Sequence, residues 1–359
     1  IYTTDIVGAG GYETGDYTSA FSGTSAAAPL VSGVVALMLQ ANPDLGYRDV
    51  QEILAYTAVD PSGSDAGWAT NSALNSNGGG LTYSDDYGFG MVDAHGAVRL
   101  AETWTGSASS QNLEIVTATN TTAEMLTDLS TITSSLIIES NVVIDHVELE
   151  IDLSHSWIGD LLIELTSESG TSSVLFNRPG LGDVGDSHGV TGIDFTFDSV
   201  QFWGEKSAGE WTLSITDAAS GDVGQLNSWS LNIYGDLPSD NDTYIFTDDW
   251  LTLGADSTRN TITDSAGIDT LNFSAVTDAI TFDIASGAVN NLLGLVLAVG
   301  TGTELENVIG GDGADTFYGT SADNQLSGMR GDDVLEGKGG DDTLIGGAGN
   351  DSLSGGDGL

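Results

Sequence analysis

Gly23-Thr24-Ser25-Ala26-Ala27-Ala28-Pro29 stands directly ahead of residues 31–40, which are apolar on nearly every helical face. That pattern predicts a buried helix with Ser25 at its N-terminus. A serine placed there sits among unpaired backbone N–H groups and at the positive end of the helix dipole. Such groups stabilise the oxyanion formed when a serine attacks a carbonyl. Pro29 suits the first turn, where no N–H is needed. The three alanines and Gly33 allow close backbone packing. An isolated Gly-Thr-Ser more often marks a plain helix cap, so the flanking sequence decides.

Downstream come Asn42-Pro43-Asp44-Leu45-Gly46-Tyr47-Arg48-Asp49-Val50-Gln51-Glu52-Ile53-Leu54 and Tyr87-Gly88-Phe89-Gly90-Met91-Val92-Asp93-Ala94. Upstream stands Ile1-Tyr2-Thr3-Thr4-Asp5. Helices are expected over 48–56 and 94–103. This ordered set, covering most of residues 1–104, resembles the end of the catalytic domain of subtilisin-family serine proteases, most closely the kexin/furin-like branch. The resemblance implies an α/β fold and a Ser-His-Asp triad in chain order Asp, His, Ser, with an Asn completing the oxyanion hole. Ser25 is then the nucleophile, and Asp, His and Asn are expected upstream of Ile1. Eukaryotic members often carry a cysteine ahead of the serine motif; a Gly/Tyr/Thr-rich loop over 8–20 stands there instead, which favours a bacterial relative.

Four histidines are present: His95, His146, His155 and His188. His188-Gly189-Val190-Thr191-Gly192 faintly resembles the family's histidine motif, but it follows the serine and lacks a helical pattern behind it. It reads as a decoy. His95 falls in the closing helix, His146 on the polar face of a strand and His155 in a loop, all as ordinary surface or turn residues.

The formal charge of −46 comes from 53 acidic against 7 basic residues. Such a surface repels nucleic acid and anionic membranes, and suits cations. Without cysteine there is neither a disulfide nor a thiol nucleophile. The apolar run 292–299 is far short of the ~20 residues of a membrane span, so no span is expected. No signal peptide opens the chain, and both ends look cut, the second in mid-repeat.

Residues 109–236 read as all-β. Val147, Leu149, Ile151 and Leu153 alternate with polar residues and so share one face of a strand. The period recurs at Leu161/Ile163/Leu165, Trp211/Leu213/Ile215 and Trp229/Leu231/Ile233, which suggests a β-sandwich. His155-Ser156-Trp157-Ile158-Gly159-Asp160-Leu161, Phe202-Trp203-Gly204-Glu205 and Gly221-Asp222-Val223-Gly224-Gln225-Leu226-Asn227-Ser228-Trp229 carry a resemblance to the P (Homo B) domain of kexin/furin-like proteases. It implies a jelly-roll-like sandwich packed on the protease. The tryptophans read as core. Asp160, Asp183, Asp186 and Asp194 are loop acids that suit either solvent or a calcium ion.

After the linker Pro238-Ser239-Asp240-Asn241-Asp242, the chain becomes Gly/Asp-rich. From Gly310 it repeats every nine residues, with Gly at position one and Asp315, Asn324, Asp333, Asp342, Asp351 at position six. Position eight is Phe317, Leu326, Leu335, Leu344, Leu353. Glycines allow tight turns with accessible carbonyls, and carboxylates supply the hard oxygen ligands calcium prefers. The pattern resembles the RTX nonapeptide, whose implied fold is a parallel β-roll with two repeats per coil. Ligands to one ion then come from repeats two apart, grouping Asp315, Asp333 and Asp351 on one side and Asn324 with Asp342 on the other. Gly310, Asp312, Gly328 and Gly346 join the expected metal set. Asn324, Thr320, Ala322, Met329 and Lys338 depart from the pattern, and without calcium the run is expected to be largely disordered. Residues 243–309 resemble the C-terminal domain of serralysin-type metalloproteases, without their His-Glu-x-x-His motif.

Three domains are therefore expected: 1–108 subtilisin-like, 109–236 P domain with its preceding linker, and 237–359 RTX. The expected activity is that of a secreted, calcium-dependent serine endopeptidase acting on protein or peptide. The fragment holds the nucleophile without the rest of the triad, so by itself it should be inactive. The rival reading is a calcium-binding surface or adhesion protein with a degenerate protease domain.

Overall fold

The structure, a computed structural model, describes residues 1–8, 10–61, 67–73, 75–179 and 192–358. Asp183, Asp186 and His188 lie outside the described residues.

In the first part, β1 (Thr3–Thr4) pairs antiparallel with β2 (Tyr17–Thr18). Helices α1 (Thr24–Ala41) and α2 (Tyr47–Tyr56) follow. An antiparallel pair, β3 (Trp68–Thr70) and β4 (Thr82–Ser84), precedes α3 (Ala94–Thr103). Asp49 in the first turn of α2 accepts a hydrogen bond from the Gly46 N–H at 2.7 Å, reaching back over the helix start. Asp93 caps α3 by accepting from the His95 N–H. Met38, Ile53, Ala97, Leu100 and Ala101 form the local core.

The expected burial of the serine helix is corrected here. Only Ala26 and Met38 of α1 are buried, and Leu30 is 58% exposed. Apolarity all round a helix states what it needs to bury. The main packing partner of α1 is α3. The expectation of no span also needs amending: α1, 18 residues with mean hydropathy 1.5, is long and apolar enough by composition to cross a membrane. Its apolar residues do not form one unbroken run, because Ser25, Ser32, Gly33 and Gln40 are interspersed among them.

The second part is antiparallel throughout. Its strands are β5 (Glu114–Asn120), β6 (Glu124–Leu126), β7 (Thr131–Ile138), β8 (Val143–His155), β9 (Leu161–Thr166), β10 (Ser172–Asn177), β11 (Gly192–Ser199), β12 (Gly209–Asp217) and β13 (Gly224–Asp236). One sheet has the order β10-β9-β12-β7 and the other β11-β8-β13-β5, with β6 also on β13. The alternating residues read from sequence point inward: Leu149, Ile151, Ile163, Trp211, Leu213 and Trp229 lie in one core. Trp211 Nε1 donates to the Ser207 carbonyl and Trp229 Nε1 to Ser134 Oγ, so both indoles are buried with their polar atoms satisfied.

The third part is built mainly on parallel pairing, with one antiparallel strand, Val289–Leu292. Its strands are β14 (Thr243–Thr247), β15 (Thr261–Ile262), β16 (Thr270–Ala275), β17 (Thr281–Asp283), β18 (Val289–Leu292) and β19 (Leu295–Val299), followed by six three-residue strands. These are β20 (Asn307–Ile309), β21 (Thr316–Tyr318), β22 (Gln325–Ser327), β23 (Val334–Glu336), β24 (Thr343–Ile345) and β25 (Ser352–Ser354). They alternate between two sheets, β14-β16-β20-β22-β24 and β15-β19-β18-β17-β21-β23-β25. Each repeat strand thus pairs in parallel with the strand two repeats on, aligning Phe317 with Leu335 and Leu326 with Leu344. Phe317, Leu326 and Leu335 are fully buried, whereas Leu353 in the last strand is 48% exposed.

Polar contacts join the parts. Arg48 meets Asp145 at 2.5 Å and Asp236 at 2.8 Å. Buried Glu205 accepts from the Ser72 N–H and from the hydroxyls of Ser167, Ser169 and Thr171. Arg259 is buried and donates to the carbonyls of Asn77 and Gly80.

Candidate nucleophile and candidate metal sites

Ser25 is the second residue of α1 and is exposed. The chain enters the helix through Gly23 at φ +100°, a left-handed conformation that glycine adopts without steric cost. The Gly23 carbonyl accepts from the N–H groups of Ala26 and Ala27, and no side chain caps the helix. With Ala26 and Ala27 engaged in this way, the N–H groups of Thr24 and Ser25 are the first-turn amides left to face a ligand.

None of the described histidines is paired with Ser25, because each has a partner elsewhere. His95 Nε2 lies 2.9 Å from Asp312. His146 stacks on Tyr234 with ring centroids 4.4 Å apart. His155 was expected in a surface loop; it instead ends β8 and is buried, with Nδ1 2.7 Å from the Trp157 carbonyl and Nε2 3.6 Å from buried Asp217. Gly224 stands opposite it on β13, where any side chain would collide with the ring, a closure that local sequence does not reveal.

The repeat acids fall into two stacks. The Asp315 N–H donates to Asp333 Oδ1 at 2.7 Å, and the Asp333 N–H to Asp351 Oδ1 at 3.1 Å. In the other stack the Asn324 N–H donates to Asp342 Oδ1 at 2.9 Å. One carboxylate oxygen each of Asp333, Asp342 and Asp351 is thus spent on holding the preceding coil. The second oxygens of Asp333 and Asp342 are buried without a hydrogen-bond partner, and a bound cation would supply the partner they lack. Asp315 is pushed up to about 7, by burial first and then by the charges of Asp333 and Asp312.

The position-one glycines form the other half of each cradle. A Cβ on Gly328 would collide with Asp333 Oδ2 and stand 2.7 Å from the Gly346 carbonyl oxygen. A Cβ on Gly310 would stand 2.5 Å from Asp315 Oδ2 and 2.7 Å from the Gly328 carbonyl. Gly337 repeats this with Asp342 and the Gly355 carbonyl, and Gly319 with Asn324 and the Gly337 carbonyl. Carboxylate and carbonyl oxygens converge on a space no side chain could share. This donor set fits calcium. The carbonyls of Gly337 and Gly355 were not among the sequence-based candidates, although the nonapeptide period implies them. Asp312 is placed differently from the other expected ligands: Arg99 Nε contacts its Oδ1 at 2.8 Å and His95 its Oδ2.

A second acidic group escaped the sequence reading because its members are scattered. Asp242, Asp264 and Asp269 bring carboxylate oxygens within 4.8 Å of one another. The Tyr244 hydroxyl donates to Asp264 Oδ2 at 2.5 Å and the Asp242 N–H to Asp269 Oδ1 at 2.8 Å. Burial pushes Asp269 up to about 6. In the second part, Asp160 is held above the usual carboxylate range by burial and by Asp217 and Asp222. Asp194 is exposed on β11, opposite Asp152.

Comparison with known proteins assigns families to three stretches. Residues 4–90 match the subtilase family, 144–233 the proprotein convertase P-domain, and 309–344 and 327–358 the RTX calcium-binding nonapeptide repeat. Kexin of Saccharomyces cerevisiae is 33% identical over 258 residues, covering 69% of this chain and 30% of kexin. Human furin is 33% identical over 227 residues, covering 62% of this chain and 27% of furin. The chain thus spans under a third of the length of these relatives. A crystal structure of the Aeromonas sobria serine protease with its chaperone ORF2 superposes with a TM-score of 0.53 at 26% identity, covering 62% of this chain and 45% of that one. In chain order, then, this protein joins a stretch matching the subtilase family, a stretch matching the proprotein convertase P-domain and a run of RTX calcium-binding repeats.

Proposed function

We propose that this chain is part of a secreted, calcium-dependent serine endopeptidase of the subtilisin/kexin type, with Ser25 as nucleophile. The carrying observation is the exposed Ser25 at the uncapped N-terminus of α1, inside a stretch that matches the subtilase family. On this reading Ser25 attacks a peptide carbonyl and the N–H groups at the very start of α1, those of Thr24 and Ser25, stabilise the resulting oxyanion. The aspartate, histidine and oxyanion asparagine come from chain preceding Ile1. The uncovered apolar faces of α1 support that arrangement, since that same chain would bury them; α1 is then an interior helix and not a membrane span.

The division we favour is 1–108 subtilisin-like, 109–236 a jelly-roll-like P domain with its linker, and 237–359 a parallel β-roll. Asp315, Asn324, Asp333, Asp342 and Asp351, with the carbonyls of Gly328 and Gly346, would hold calcium there. Gly310 leaves the space for the ion, and Asp312 acts as a salt-bridge partner. The oxygen cradles at the position-one glycines support this set.

The test is hydrolysis of a protein substrate by the chain produced together with its preceding coding sequence. Activity should fall at least about a thousandfold in Ser25→Ala, and residues 1–359 alone should be inactive. Unchanged activity in Ser25→Ala would refute the assignment.

A further inference from the structure

Helix α3 lies between the serine helix and the repeat stack. Its Ala97, Leu100 and Ala101 are fully buried in the core that also holds Met38 of α1. His95, Arg99 and Glu102, spaced i, i+4, i+7, occupy another face. That face meets the repeats in an ionic cluster. Arg330 donates to both oxygens of Glu102, at 2.8 and 3.0 Å. Arg99 and His95 both contact Asp312. Arg99 also reaches Glu102 at 3.3 Å, so the charges form one network and not isolated pairs. A bidentate Arg–carboxylate pair within such a network fixes geometry more tightly than a single surface pair. Asp312 and Arg330 are equivalent positions of the first and third repeats, so successive coils supply the two halves of the contact.

The turns that present these two residues are the same turns that build a cation cradle. The Gly311 N–H donates to Asp315 Oδ2 at 3.0 Å, and the Arg330 N–H donates to the Gly311 carbonyl at 3.2 Å. The Gly328 carbonyl faces Asp315 Oδ2 across the space at Gly310. Fixing Asp315 and Gly328 therefore fixes the backbone of Asp312 and Arg330. Removing that restraint frees both side chains from α3.

We propose that α3 couples calcium occupancy of the repeats to the order of the serine helix, through the cluster of Arg99, Glu102, Asp312 and Arg330. This rests on reading the repeats as calcium sites. Filling the stack then rigidifies α3 and, through Leu100 and Met38, α1. Calcium acts on the serine-bearing part without contacting it.

Amide hydrogen exchange on the 359-residue chain, with saturating calcium and with chelator, tests this. Calcium should slow exchange in α3 by about tenfold or more, a coupling of ordinary allosteric size, and should slow the repeats as well. Arg330→Ala and Glu102→Gln should keep the calcium-dependent protection of the repeats and lose most of it in α3. Glu102 lies outside the repeats, so Glu102→Gln leaves the cradle donors untouched even where Arg330→Ala perturbs the stack. Repeats that respond while α3 is indifferent to calcium, or an α3 response unchanged by both variants, would overturn the coupling alone. Repeats that do not respond to calcium would overturn the reading beneath it, and the coupling with it.

Discussion

Arg48 shows what one residue does between two parts of this chain. Its guanidinium is 4% exposed and lies against Asp145 and Asp236, with Asp145 only 10% exposed. Burial nonetheless holds the Asp145 carboxyl above its usual range, against the pull of Arg48. Breaking such a pair from one side leaves a buried charge uncompensated. Arg48→Ala should therefore cost about 3–5 kcal/mol in denaturant unfolding. The double variant Arg48→Met/Asp145→Leu should recover most of that loss, since two packed apolar groups replace two desolvated charges. Asp249 gives a pH signature. Burial, with Asp60, Asp248 and Asp93 nearby, pushes it up to about 6. A carboxyl raised in the folded state adds stability below its unfolded value of about 4 and loses it as pH rises through the folded value. Asp249→Asn should thus raise Tm at about pH 8 relative to the parent and give no gain at about pH 4, by scanning calorimetry at both.

The repeat strands are too short to stand alone and depend on stacking and on the turns between them. Two turns break the glycine rule: Met329 and Lys338 adopt φ of +66° and +73°. Side chains there cost about 1 kcal/mol. Lys338 has compensation, since its ammonium contacts Asp283 at 3.2 Å and lies 5.6 Å from the Tyr318 ring centroid. Met329→Gly should stabilise the calcium-loaded stack by up to about 1 kcal/mol, and Lys338→Gly should give less or destabilise, by chemical denaturation in calcium. At this scale the sequence was readable where a period fixes geometry. Alternation placed Val147, Leu149, Ile151 and Leu153 inward, and the nine-residue period put Asp315, Asp333 and Asp351 in one stack. It failed where tertiary placement decides. Nothing local says that His155 is buried, that Asp312 meets Arg99, or that Asp242, Asp264 and Asp269 converge.

Across the whole molecule, the three parts meet through charged and polar residues contributed by each: Arg48 with Asp145, Ser72 with Glu205, and Glu102 with Arg330. Such contacts join residues up to 228 positions apart, beyond the reach of motif or period. The misjudged α1 belongs to this scale too. Its apolar composition was legible, but which surfaces cover it depends on the rest of the fold. An excess of 46 negative charges resists close approach of the parts. Chelating calcium should therefore lower the unfolding temperature of the chain, with loss of strand signal in circular dichroism, and readdition should restore both. The nucleophile itself is tested by treating the chain, produced with its preceding coding sequence, with a fluorophosphonate and mapping the adduct by mass spectrometry. A covalent adduct on Ser25, absent after Ser25→Ala, is the expected result; an adduct on another residue, or none in a preparation that hydrolyses protein, would contradict a Ser25 nucleophile.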